Sequence, residues 1–75
     1  MKQMVDIEGR EYSVDRGVFA NTKEISVGSQ FEHDGQTRRH AVIIRDDGKI
    51  SDRDAVMAVK PLLDCWEESI RSGEA

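Results

Sequence analysis

The sequence predicts an α+β domain: an antiparallel sheet of about four strands, formed as two hairpins, packed against one C-terminal helix. Three observations carry this. In the last third of the chain, apolar residues recur at spacings of three and four. Before it, apolar and polar residues alternate with period two in segments broken by Glu8-Gly9 and Asp34-Gly35. The whole comprises 75 residues, enough for one domain and one small core.

The first hairpin spans residues 3–7 and 10–14, which alternate around Glu8-Gly9. A two-residue turn there pairs Val5 with Tyr12 and places Val5, Ile7, Tyr12 and Val14 on one face. Residues 15–22 then read as a connection, with Val18 and Phe19 tucked under the edge of the core rather than exposed at a binding tip. The second hairpin turns at Asp34-Gly35, the strongest turn signal in the chain. An even-length loop puts Ile25, Val27 and Phe31 on one face with His40, Val42 and Ile44. An odd-length loop puts Ala41 and Ile43 there instead, because a one-residue slip inverts a strand. The run from Ala41 to Ile44 does not alternate, so one of these pairs faces away from the helix whichever loop forms. Asp46-Asp47-Gly48 reads as a tight turn and Lys49-Ile50 as a short strand.

The helix starts at Ser51, whose hydroxyl can cap it, with Asp54 three residues on as in a capping box. Its apolar stripe reads Ala55, Val59, Leu62, Leu63, Trp66 and Ile70, with Trp66 the largest buried group. Gly73 is a natural stop. Pro61 removes a backbone donor and clashes one turn back, which predicts a kink or a break within two residues of Lys60.

Eleven basic and 15 acidic residues leave a net charge of −4, which disfavours nonspecific attraction to nucleic acid or anionic membrane. Residues 51–75 hold three bases and six acids, so the helix end is the acidic part. No apolar run is long enough for a signal peptide or a membrane span, and the single Cys65 suits a reducing compartment. A cytoplasmic protein is expected.

No residue pattern points to catalysis, and neither a metal nor a cofactor is expected. His33 and His40 flank the second turn, but their spacing matches no zinc pattern. Cys65 reads as a small buried hydrophobe and Asp64, Glu67 and Glu68 as a solvated helix face. The basic residues Arg38, Arg39, Arg45 and Lys49 are the set a nucleic-acid-associated regulator would use, yet few aromatics accompany them. A non-enzymatic protein-binding module is the better reading, with Val42, Ile43, Ile44, Val18 and Phe19 as interface residues. The uncovered pair in the Ala41–Ile44 run also predicts a homodimer or another protein partner on the second sheet face.

In its length, acidity and expected architecture the chain resembles the small inhibitors encoded by phages and mobile elements, some anti-CRISPR proteins among them, and equally many bacterial accessory proteins. That resemblance implies an inhibitor or adaptor. It transfers no individual residue.

Overall fold

A computed structural model describes residues 2–46 and 48–73. It shows the expected α+β architecture: strands β1 (Lys2–Ile7), β2 (Arg10–Phe19), β3 (Thr22–His33) and β4 (Gln36–Arg45), followed by helix α1 (Asp52–Arg71). The strands form one antiparallel sheet in the order β1-β2-β3-β4, with α1 across one face.

All three strand connections are two-residue turns in which both central residues have positive φ: Glu8-Gly9, Ala20-Asn21 and Asp34-Gly35. This mirror-image turn matches the twist of the strands it joins. The Asp6 carboxylate accepts a bond from the Gly9 N–H at 3.0 Å and steadies the first turn. The central turn corrects the sequence reading of residues 15–22. They are no loose connection but the end of β2, a turn and the start of β3, so the two expected hairpins are joined by a third. Asn tolerates positive φ, whereas at Ala20 it costs about 1–2 kcal/mol, which is why the position carries no familiar turn signature.

Val5 pairs with Tyr12, as the first hairpin requires. Across the last hairpin Val27 faces Val42 and Ile25 faces Ile44, the register of an even loop. Val42 and Ile44 therefore point towards the helix, half-buried against the core, while Ala41 and Ile43 point away. The core consists of Ile7, Tyr12, Val14, Ile25 and Val27 from the sheet and Ala55, Val56, Val59 and Leu63 from the helix.

Gly28 sits at the middle of the sheet, where a side chain would crowd both neighbours. A Cβ there would lie 2.9 Å from the His40 carbonyl oxygen and 3.0 Å from Ser13 Oγ. Pairing of β2 with β3 stops at Ser13–Gly28, although β3 continues along β4 to His33. Beyond that point the two halves of the sheet part. A glycine suits such a bend because neighbouring backbone can close in on it.

Helix α1 starts as read: Ser51 Oγ accepts from the Asp54 N–H at 3.1 Å. At its other end Gly73 takes φ of +81° and donates to the Ile70 carbonyl. The helix is a single element from Asp52 to Arg71 with Pro61 inside it, so the expectation of a break there is not met. Pro61 and Met57 are both exposed, which leaves the Met57 carbonyl, deprived of its usual donor, on the side open to water.

The buried stripe is rotated from the one expected. Ala55, Val56, Val59, Leu63 and Glu67 are buried, whereas Leu62 and Trp66 are exposed, Trp66 at 39%. The bulk of Leu62 and Trp66 pulls the apparent stripe to one side. Its true centre includes Val56 and a carboxylate. Lys49-Ile50 forms no strand. Asp46 instead accepts from the N–H groups of Gly48 and Ile50, and Asp47 of the expected turn lies outside the described residues.

Candidate protein-interaction surface

The face of the sheet away from α1 carries no covering element among the described residues. It presents Met4, Phe19, Ala41 and Ile43, with Phe19 71% and Ile43 63% exposed. Val18 and Phe19 are thus solvent-facing at the tip of the β2–β3 hairpin, contrary to the expectation that they tuck beneath the core. The tip outruns the helix. Arg16, three residues before Phe19, already meets the start of α1, donating to the Asp52 carboxylate and to the Ile50 carbonyl at 2.7–3.0 Å. No helix remains beyond it to cover Val18.

Two concavities shape this open face. One of about 190 Å³ lies between Phe19 and Ile43, rimmed by Asp15 and Glu24. The other, about 670 Å³, lies where β2 and β3 part and is lined by Met4, Glu11, Ser13, Gly28, Arg39 and Ala41. Strand alternation places Asp6, Glu11, Asp15, Glu24 and Glu32 on this face against Lys2, Arg39 and Arg45, so its rim is acidic on balance.

The basic residues do not converge. Arg38 projects on the helix side and Arg39 and Arg45 on the open side, and Arg39 and Arg45 are six residues apart, about 20 Å along the strand. Arg45 lies 4.0 Å from Glu24. Lys49 is exposed beyond the sheet. Phosphate contact along one backbone would want these groups on one surface.

The histidines are likewise apart. His33 lies 3.3 Å from the Asp34 carboxylate. His40 stacks on Phe31 at 5.2 Å between ring centres and meets Trp66 at 5.8 Å, while the Arg71 guanidinium sits over Phe31. Among the described residues no cluster of His, Cys, Asp and Glu has the geometry to hold a metal ion. Cys65 is exposed, which corrects its reading as a buried hydrophobe: it sits on the flank that the rotated stripe leaves in water.

Sequence reasoning missed a polar clamp between α1 and β2. Glu67, read as part of a solvated face, is only 7% exposed and accepts from the guanidinium groups of Arg10 and Arg71. One turn earlier Asp64 accepts from the Tyr12 hydroxyl at 2.8 Å and from the Lys60 ammonium at 2.6 Å. Glu67 and Arg71, and likewise Lys60 and Asp64, are four residues apart, which was the one local signal. Their partners on β2 lie more than fifty residues away.

Burial pushes the Asp64 carboxyl up, but the bonds from Lys60 and Tyr12 and the nearby charges outweigh it, so the net shift is downward. Burial, and then the bond to Asp64, raise Tyr12. The bond to Asp64 also raises Lys60. The Asp64 contribution to stability is therefore complete above its ordinary value of 3.8 and is lost as pH falls through the lower folded value. Those of Tyr12 and Lys60 are complete below 10.0 and 10.5 and are lost as pH rises through their higher folded values. Urea unfolding across the pH range should show Asp64→Asn flattening both limbs relative to the unmodified chain. An unchanged pair of limbs would refute the clamp.

The described residues therefore define a four-stranded antiparallel meander with one C-terminal helix and one uncovered sheet face. Neither a protein-family model, nor a curated protein, nor a solved structure matches the chain. Among the described residues no helix is long and apolar enough to cross a membrane.

Proposed function

We propose that the chain is a non-enzymatic module that binds another protein through its open sheet face, as an inhibitor or adaptor in the cytoplasm. The observation that supports this is the pairing of exposed Phe19 and Ile43 across a concavity rimmed by Asp15 and Glu24. Large apolar side chains in an acidic rim suit a partner that offers an apolar anchor flanked by lysine or arginine. A catalytic reading has no comparable support, and the divergence of Arg38, Arg39, Arg45 and Lys49 argues against a nucleic-acid regulator.

The test is capture from an extract of the native cell by the immobilised full chain. The expected result is a protein held by the unmodified chain and by Lys49→Ala, but lost by Phe19→Asp and Ile43→Asp, which alter exposed positions. Binding that both aspartate variants retain would overturn the reading. So would nuclease-sensitive binding with a steep fall in salt, the mark of phosphate contacts.

A further inference from the structure

We propose that the chain also self-associates, as a two-fold dimer joined through the free edge of β4 and the apolar flank of α1 above it, so that two sheets continue as one of eight strands. This surface meets the open face at Ile43 and leaves Phe19 and the β2–β3 tip available in both copies.

The edge is the first observation. Among the described residues β4 neighbours only β3. The two-residue turn makes His33–Gln36 the closing hydrogen-bonded pair, so alternate residues of β4 bond inward to β3. The N–H and C=O groups of Thr37, Arg39, Ala41, Ile43 and Arg45 consequently point outward. A long edge strand with unpaired backbone groups is a template for another strand.

The second observation is the asymmetry of α1. Its β2-facing flank is polar and fully engaged, through Asp64 and Glu67 with Tyr12 and Arg10. Its other flank carries Ala58, Leu62, Cys65 and Trp66, all exposed, and the Trp66 contact with His40 places this flank over β4. Val42 and Ile44 lie half-buried beside it. The incomplete side of the helix thus overlooks the incomplete edge of the sheet.

A second copy fits both. Antiparallel pairing about Ala41 sets the smallest side chain of the run at the two-fold axis and overlaps the edge from Thr37 to Arg45. Arg39 then faces Ile43 of the other copy, where its aliphatic stem can cover the isoleucine. Arg45 faces Thr37, whose hydroxyl already bonds to Glu32, bringing a cation towards a carboxylate. Pairing one step away, with Arg39 opposite Arg45, would place like charges together twice. In the favoured register both helices lie on the same side of the extended sheet. Their Leu62 and Trp66 flanks form the walls of a trough floored by Val42 and Ile44.

The surface area agrees. The chain exposes 5318 Å², whereas a compact monomer of its 8.5 kDa mass exposes about 4,700 Å². Its radius of gyration of 13.1 Å likewise exceeds the roughly 11 Å expected for 75 residues. Both values fit a two-layer fold that leaves surface for a partner to cover, of which a standard interface takes about 800 Å² per chain.

Sedimentation of the full chain from micromolar to near-millimolar concentration should show twice the 8.5 kDa mass, reverting towards the single chain on dilution. Ala41→Pro removes an outward N–H and Leu62→Lys charges the exposed flank, and each should yield a folded monomer by circular dichroism. Phe19→Ser, on the open face, should leave the dimer intact. In hydrogen exchange the outward amides of Arg39, Ala41 and Ile43 should be protected like those bonded to β3. If Ala41→Pro fails to fold, Leu62→Lys and the exchange pattern decide. A single 8.5 kDa species throughout, freely exchanging outward amides, or a dimer that Phe19→Ser disrupts and Leu62→Lys does not, would overturn the proposal.

Discussion

Leu63→Ala is expected to leave most of the chain unfolded at room temperature. Leu63 is fully buried, the largest such side chain on the helix, and packs into a core whose sheet side is Ile7, Tyr12, Val14, Ile25 and Val27. Truncating a leucine in such a site costs about 2–5 kcal/mol, the lost transfer energy plus a cavity. A core in a domain of this size supplies about 3–5 kcal/mol net, so the change removes most of it. Trp66→Ala should cost less, because the residue keeps 39% of its surface in water and its removal from the flank of the stripe leaves no enclosed cavity. Urea unfolding followed by far-ultraviolet circular dichroism measures both, in dilute solution so that association does not contribute. Equal losses would mean that the helix meets the sheet through the Leu62–Trp66 side after all.

Glu67→Ala should be the most damaging change to a charged residue, at about 2–3 kcal/mol. The carboxylate is buried and accepts from two guanidinium groups, and removing one partner of a buried pair leaves the other without compensation. The full penalty for such a loss, about 3–5 kcal/mol, is reduced here because the side chains of Arg10 and Arg71 are 35% and 48% exposed and can turn to water. Glu67→Met fills the same volume without a charge, and should recover most of the loss. Denaturation midpoints of the two variants give the comparison. A tolerated alanine would return Glu67 to the solvated face that its local sequence suggests.

These two residues mark where the sequence can be read and where it cannot. Leu63 was legible, since it lies on the stripe under either phase of the helix. Glu67 was not. Within the helix it is one carboxylate among several, and only Arg10, 57 residues away, makes its burial affordable in energy. The candidate surface divides in the same way. Ala41 to Ile44 announced an uncovered pair, but the pair itself followed from the loop length at Asp34-Gly35. Val18 and Phe19 were visible as apolar outliers, yet their exposure depends on β2 and β3 outrunning the helix, a comparison of lengths in space.

What the sequence by itself determined is therefore the local part: the alternation of the strands, the glycine-bearing turns, the pairing of Val5 with Tyr12, and a helix begun by Ser51 and closed at Gly73. Each depends on residues within a few positions of one another, where φ preference and side-chain period act directly. The tertiary structure alone decided the rotation of the helix about its axis, the continuity of that helix through Pro61, the turn at Ala20-Asn21 and the burial of Glu67. The reason is one of small local differences. Turning an amphipathic helix by a fraction of a residue changes little within the helix, and the choice falls to whichever face the sheet can fill and whichever charges it can meet.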